Sequence, residues 1–325
     1  GMADSKDRSS RYDGPIVDAH QHFWDPLHNP HPWLEPDVLV PFRYGDYSAL
    51  KRPYLPADYR EDSRGFDVRH TVYVEAEWDP TDPVGETRYV SNLARRHGLP
   101  TVIVAQAWLD RADVTDVLAA QAEFPLVRGV RHKPAGAASP QERAAGQRTA
   151  MSDQRWRAGY ALLEDLDLSF DLQTGWWNLP DAYDLATDFP GIQVVVDHAA
   201  LPADRSRDGL RRWREAIEEV AAAPNVALKV SGLGDPAHAW TVERNAPVVD
   251  QAIEVFGADR VMFASNFPVD GLCGTFAEIY DGFLAMTSGL DPAAQHALFY
   301  GNAMRIYRIA GASPGPDGHD PQPGP

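Results

Sequence analysis

A closed (β/α)8 barrel of the α/β class is the fold that the sequence predicts, and three observations predict it. Eight short runs of mainly β-branched residues recur along the chain, and most are continuously apolar, as strands buried on both faces are. Helical patterns separate these runs in strict alternation, which is typical of parallel βα units. Eight such units fit within 325 residues, because a barrel of this kind needs roughly 250. A doubly wound open sheet is the alternative, although no GxGxxG motif follows a strand.

The predicted elements follow one another along the whole chain. The strands span residues 16–19, 71–75, 101–107, 129–132, 168–173, 192–197, 226–230 and 260–264. The helices span residues 85–97, 113–123, 153–165, 179–189, 208–223 and 243–256, and then 276–287 and 291–309 after the eighth strand. Several helices begin after a residue that can cap a first turn, such as Ser152 or Asp153.

One long irregular segment, residues 23–67, interrupts the alternation after the first strand. It is rich in Pro and Trp, and a loop of that length in a compact domain is usually functional. After a barrel strand it would lie over the mouth of the barrel as a lid. We therefore expect one domain, residues 14–311, that carries this lid-like insertion. A disordered N-terminus (1–13) should precede it, and a disordered, Pro- and Gly-rich tail (312–325) should follow.

The composition excludes several classes of partner. The formal net charge of −17 repels nucleic acid and anionic membrane surfaces, and the Lys and Arg residues are scattered. No apolar run approaches the ~20 residues that span a bilayer. The single cysteine, Cys273, excludes an internal disulfide and favours a reducing compartment. We expect a cytoplasmic protein with a small-molecule substrate. The sequence leaves its oligomeric state open, and a homodimer is one candidate.

Polar side chains cluster at the predicted strand ends. His20 and His22 end the first strand with one residue between them, so both point to the same face. Because the C-terminal ends of parallel barrel strands open on one face, polar residues from the other strands should meet this pair there. They are Glu75, Glu77 and Trp78, Gln106 and Trp108, Arg131, His132 and Lys133, Asp171, Gln173, Trp176 and Trp177, Asp197 and His198, Lys229 and Ser231, and Ser265, Asn266 and Asp270.

Three histidines are the candidate centre of the site. His20, His22 and His198 can together bind one divalent ion, and Zn²⁺ with three protein ligands and a water is a common catalytic arrangement. The same imidazoles can instead bind a substrate oxygen as donors, so the presence of a metal stays open. A polar rim without chemistry is the alternative to both.

Further residues are candidates for substrate binding. Arg131 can hold a carboxylate or a polarised carbonyl oxygen, unless it forms only a surface salt bridge. Gln173 and Glu75, at the ends of two other strands, are further candidates, and Glu75 and Asp171 can instead act by orienting neighbouring groups. Aromatic residues near the strand ends suggest a wall for a ring-shaped ligand, although such residues equally pack in cores. They are Trp24, Trp78, Trp108, Trp176 and Trp177.

Five stretches resemble the amidohydrolase-related (amidohydrolase 2) family. They are VDAHQHFW at 17–24, GVRH at 129–132, VDH at 196–198, RVMFASNFP at 260–268 and YGNAMRIY at 300–307. The resemblance covers nearly the whole chain and implies a (β/α)8 barrel that hydrolyses a C–O or C–N bond in a small molecule. Sugar-acid lactonases and 2-pyrone-4,6-dicarboxylate lactonase belong to this family. The resemblance also implies that His20, His22 and His198 line the catalytic centre. In some relatives they bind a metal, and in others they polarise the carbonyl directly with an arginine.

Asn266 departs from the family pattern. An aspartate usually follows the serine at the end of the eighth strand, where it deprotonates the hydrolytic water. An amide cannot serve as a general base. Three explanations follow: Asp270, or else Glu75 or Glu77, is the base; a metal-bound hydroxide needs none; or the chain binds its ligand without hydrolysing it.

The sequence thus predicts a hydrolase that acts on a small cyclic ester, such as a sugar or dicarboxylate lactone. Water would attack a carbonyl polarised by an arginine and the histidine cluster, with or without a single divalent metal, Zn²⁺ being favoured. A non-oxidative decarboxylase on the same scaffold is the alternative, and a catalytically silent binding protein is the third. The predicted catalytic residues are His20, His22, Arg131, His198, Asn266 and Asp270.

Overall fold

Eight parallel strands lie side by side in chain order, which confirms the predicted (β/α)8 barrel. The computed structural model describes residues 10–310. The strands are β1 Ile16–Gln21, β2 Val68–Val74, β3 Val102–Gln106, β4 Val127–Arg131, β5 Ser169–Leu172, β6 Val194–Val196, β7 Val226–Val230 and β8 Val261–Phe263. At the closure, the His22 amide donates to the Phe267 carbonyl (2.8 Å), and the Asn266 amide donates to the His20 carbonyl (2.9 Å). The closure therefore joins two predicted segments of the site.

Helices lie between the strands along the chain. They are α1 Pro56–Asp62, α2 Pro83–His97, α3 Val114–Ala122, α4 Pro140–Ala144, α5 Gln154–Asp165, α6 Leu179–Asp188, α7 Arg207–Ala221, α8 Val242–Phe256, α9 Phe276–Met286, α10 Pro292–His296 and α11 Asn302–Ile306. The predicted helix 291–309 is divided, because one turn of π-helix, Ala297–Gly301, separates α10 from α11. The sequence does not predict α1 and α4. Proline-rich stretches suggest loops, yet Pro56 and Pro140 stand in the first turn, where proline is favoured.

The strands are buried on both faces, as a barrel with an outer ring of helices requires. Polar groups inside the barrel are paired. Asp18 on β1 is completely buried and accepts hydrogen bonds from the Ser265 amide (2.8 Å), the Ser265 hydroxyl (2.6 Å) and the Tyr59 hydroxyl (2.7 Å). Burial raises the pKa of the Asp18 carboxyl. Asp18 thus ties β1 to the chain that follows β8, where Asn266 lies.

The insertion, residues 23–67, packs against the C-terminal end of the barrel. Trp24 and Tyr54 exchange backbone hydrogen bonds of 3.0 and 2.8 Å within it. Arg43 of the same segment donates to the Gly232 carbonyl (2.9 Å), just after β7. The segment therefore lies at the barrel mouth, and its opening as a lid stays a prediction.

The chain ends fall largely outside the described residues. The predicted disordered tail, residues 312–325, lies outside them, and so do residues 1–9. Within 10–13, Arg11 pairs with Asp281 (2.5 Å), and the Tyr12 ring stacks on Phe299 with 5.0 Å between centroids. Across residues 10–310, none of the helices is long and apolar enough to cross a membrane.

Candidate active site

A cavity of about 280 Å³ lies at the C-terminal ends of the strands. Both the barrel and the insertion contribute to its lining. The predicted site residues in the lining are His22, Trp24, Arg131, Gln173, His198 and Asn266. Others that line it are Trp33, Phe42, Arg43, Glu77 and Lys133.

The His20 ring, which is buried outside the lining, packs against two imidazole rings that line this cavity, those of His22 and His198. The His20 ring centroid lies 5.1 Å from that of His22 and 4.6 Å from that of His198. His22 Nδ1 donates to the Val74 carbonyl (2.6 Å), which leaves a lone pair on Nε2, and His198 Nδ1 lies 2.8 Å from the Ser231 hydroxyl. Burial lowers the pKa of all three imidazoles well below the ordinary 6.5, so the rings are neutral.

A buried group of charges adjoins His20. The Lys229 ammonium contacts Asp171 Oδ2 (2.8 Å), Asp197 Oδ1 (3.5 Å) and His20 Nδ1 (3.3 Å). All four side chains are completely buried. Burial alone would raise the pKa of Asp171, but Lys229 holds that pKa below its ordinary value, whereas burial and the Asp171 charge raise the pKa of Asp197. Lys229 is therefore the cation that balances this carboxyl pair.

Arg131 lines the cavity with most of its donors already used. Its Nε donates to Glu75 Oε1 (3.0 Å), and its Nη2 donates to the Glu75 carbonyl (2.6 Å). Its Nη1 donates to Gln173 Oε1 (3.0 Å) and Asp197 Oδ2 (3.5 Å). Burial alone would lower the pKa of Arg131, but the carboxylates of Glu75 and Asp197 raise it. One N–H on Nη2 has no partner among residues 10–310. Glu75 thus holds the Arg131 guanidinium in place, and its predicted roles in substrate binding or as the base stay predictions.

Asn266 and Asp270 form a pair after β8. Asn266 Nδ2 donates to Asp270 Oδ1 (2.9 Å), and the Tyr44 hydroxyl donates to the same oxygen (2.5 Å). Asn266 lines the cavity within hydrogen-bonding reach of His22, whereas Asp270 is buried and outside the lining. Burial raises the pKa of Asp270. Asp270, a predicted base, therefore lies behind Asn266 and holds its amide.

Three residues that follow strands and line the cavity have a left-handed backbone conformation. Glu77, His198 and Asn266 have φ values of 55°, 55° and 54°, which cost about 1–3 kcal/mol for a non-glycine residue and cluster at functional sites. Gly232, with φ of +60°, faces His198. A Cβ at Gly232 would lie 2.6 Å from His198 Nδ1 and 2.5 Å from Arg43 Nη2. Only glycine lets the insertion approach His198 this closely.

Two predicted aromatic contacts do not line this cavity. Trp108 is 42% exposed and stacks on His132, with 6.1 Å between ring centroids. It lines a neighbouring cavity of about 640 Å³, whose lining also includes Arg131. Trp176 lies beneath the Arg212 guanidinium, which is 5.2 Å from the ring centroid. Roles for both tryptophans in substrate binding stay predictions.

The sequence does not single out Arg43 and assigns no role to Lys229. Arg43 lies in an irregular segment, so no periodicity places it at the site. Lys229 does carry a signal, because it is the charged residue of an otherwise apolar strand, Val226–Val230. A lysine in a strand buried on both faces needs buried partners.

A family model described as amidohydrolase matches residues 17–309. The chain belongs to the amidohydrolase family. The uncharacterized Sinorhizobium fredii protein y4mH is 36% identical over 300 residues, covering 90% of this amidohydrolase and 98% of that protein. The L-fucono-1,5-lactonase of Burkholderia ambifaria is 30% identical over 305 residues, covering 90% and 95%. A crystal structure of a Burkholderia multivorans amidohydrolase with bound zinc has a TM-score of 0.73 and 26% identity, covering 91% and 100%.

The donor set of this amidohydrolase does not suit a metal ion as it stands. Among residues 10–310, His20, Asp171 and Asp197 form the one group of His, Cys, Asp or Glu side chains whose three ligand atoms all lie within 4.8 Å of one another. The Lys229 ammonium contacts all three of these side chains, so a divalent ion would have to displace it. The ring nitrogens of the three predicted ligands, His20, His22 and His198, do not all lie within 4.8 Å of one another.

Proposed function

We propose that this amidohydrolase hydrolyses the lactone of a small sugar acid. The proposal is supported above all by Arg131, a cation that lines the cavity beside the three neutral imidazoles. One N–H of its Nη2 has no partner among residues 10–310. The similarity to an L-fucono-1,5-lactonase supports the substrate class. Trp24 and Trp33 in the lining offer apolar surface to a sugar ring.

The reaction begins with the lactone carbonyl oxygen against Arg131. As water attacks the carbonyl carbon, negative charge develops on that oxygen. The N–H of Arg131 stabilises this charge in a site where burial strengthens electrostatic interactions. Glu75 and Gln173 hold the guanidinium in place, so little reorganisation is needed when the charge develops.

His22 accepts the proton of the attacking water. Its Nδ1 is committed to the Val74 carbonyl, so the lone pair on Nε2 is available. Asn266, within hydrogen-bonding reach of His22, orients the water, and Asp270 fixes the Asn266 amide. When the ring C–O bond breaks, His22 returns the proton to the leaving oxygen, and the product is the open hydroxy acid. No step uses a metal.

Proton release from a panel of aldonolactones, with L-fucono-1,5-lactone among them, tests this function. We expect the wild type to hydrolyse the lactone. Arg131→Lys should lower kcat by about 10²-fold or more, because a lysine ammonium cannot make the several directed hydrogen bonds of the guanidinium. His97→Ala, an exposed change at the end of α2, is the control. Carbon dioxide release from a hydroxybenzoate without lactone hydrolysis would contradict the proposal, and so would silence in both assays. The sequence left a bound metal open, and this mechanism takes the metal-free alternative. A cytoplasmic location and a homodimer stay predictions.

A further inference from the structure

Lys229 is a buried ammonium whose contacts include a ring nitrogen of a proposed active-site histidine. It lies on β7 between apolar neighbours and is completely buried. Its Nζ lies 2.8 Å from Asp171 Oδ2, 3.5 Å from Asp197 Oδ1 and 3.3 Å from His20 Nδ1. The contacts with Asp171 and His20 are hydrogen bonds, whereas the contact with Asp197 is an ion pair.

The contact with Lys229 decides which nitrogen of His20 carries the proton. An ammonium can only donate, so His20 Nδ1 must be the acceptor, and a neutral imidazole then has its proton on Nε2. His20 Nε2 is buried and has no hydrogen-bond partner within residues 10–310. His20 is outside the cavity lining, but its ring packs against His22 and His198, which line the cavity. A buried donor without a protein partner is costly, so a ligand atom that reaches between these two rings would complete it.

We propose that Lys229 is a positioning residue that holds His20 in the tautomer with the proton on Nε2, which makes His20 a hydrogen-bond donor to the ligand and prevents it from binding a metal. The proposal rests on the proposed function only for the identity of the accepted atom, the lactone carbonyl oxygen. There His20 joins Arg131 as a second donor to the developing oxyanion.

The same contact excludes zinc. To bind Zn²⁺ through Nε2, His20 would need its proton on Nδ1, where it would point at the Lys229 ammonium. Binding through Nδ1 together with Asp171 and Asp197 would place the ion where Lys229 lies. Removal of the ammonium lifts both obstacles and leaves two buried carboxylates that attract a cation.

Nitrogen NMR of the ¹⁵N-histidine-labelled full chain tests the tautomer directly, without substrate. His20→Gln, whose spectrum lacks the His20 signals, assigns them. We expect a protonated Nε2 and an unprotonated Nδ1 at neutral pH, unchanged when zinc is added. A protonated Nδ1, or a zinc-dependent shift of the His20 nitrogens in the wild type, would overturn the proposal.

Zinc affinity supplies a second measurement. In competition with a zinc-binding dye, Lys229→Met should bind zinc at least about tenfold more tightly than the wild type. Lys133→Met, which removes the lysine that lines the cavity and pairs with Glu77 and not with the His20 group, should match the wild type in zinc affinity. Equal affinity of Lys229→Met and Lys133→Met would count against the proposal. If Lys229→Met does not fold, the NMR result on the wild type decides alone. Because neither measurement uses a lactone, failure of this inference is distinguishable from failure of the proposed function.

Discussion

The change Asn266→Asp, which restores the aspartate usual in this family, tests how the end of β8 is held. In the wild type, Asn266 Nδ2 donates to Asp270 Oδ1 over 2.9 Å, and Tyr44 donates to the same oxygen. The change replaces that donor with an oxygen, so two carboxyl groups face each other in a buried place. Either one carboxyl must take a proton or the two charges repel.

The size of the effect follows from that lost hydrogen bond. A buried polar group left without its partner costs about 1–3 kcal/mol. Since each kcal/mol shifts the melting temperature of a large domain by about 2–4 °C, we expect Asn266→Asp to melt about 2–12 °C below the wild type. The double variant Asn266→Asp/Asp270→Asn should recover much of this loss, because an amide at 270 can donate to a carboxylate at 266. The Tyr44 hydroxyl can then accept in place of donating.

Differential scanning calorimetry at neutral pH on the wild type, the single variant and the double variant provides the measurement. A single variant as stable as the wild type would refute the proposed pairing, and so would a double variant no more stable than the single one. The double variant also places a carboxylate beside His22, so its kcat on a lactone should equal or exceed that of the wild type. A fall of about 10²-fold would show that the proton goes elsewhere.

Four further predictions concern pH, the base, the aromatic wall and the metal. Burial raises the pKa of Glu86 from its ordinary 4.5 to about 8. The folded chain therefore keeps a proton there that the unfolded chain releases, and stability falls by up to about 1.4 kcal/mol per pH unit as pH rises between these values. Glu86→Gln should make the melting temperature less dependent on pH between about pH 5 and pH 8. A pH dependence equal to that of the wild type would contradict this. His22→Gln should lower kcat by about 10²–10⁴-fold with little change in KM, whereas a selective rise in KM would make His22 a binding residue. Trp108→Ala tests the predicted role of Trp108 in substrate binding. Because Trp108 lines the neighbouring cavity, kcat/KM for a monocyclic lactone should stay nearly unchanged, and a large loss would support the predicted role. Treatment with a chelator should leave lactone hydrolysis intact, and a loss that added zinc restores would refute the metal-free mechanism.

The fold and much of the site follow from local patterns. Apolar β-branched runs alternating with helical periods predict the eight strands, and their bounds differ from the observed ones by a few residues at most. The spacing of His20 and His22 places both on one face because strand side chains alternate. Short helices in the proline-rich stretches, such as α1, escape prediction because proline marks both loops and first helical turns.

The sequence by itself determined that this chain is a barrel of the amidohydrolase family and that His22, Arg131, His198 and Asn266 come together at one end of it. Strand alternation and parallel order are enough for that conclusion. Only the tertiary structure decided what each group can do. Asp270 lies behind Asn266, and Lys229, 209 positions from His20 along the chain, contacts its Nδ1. Contacts over such separations depend on how the barrel closes and how its interior packs, and no local pattern records them.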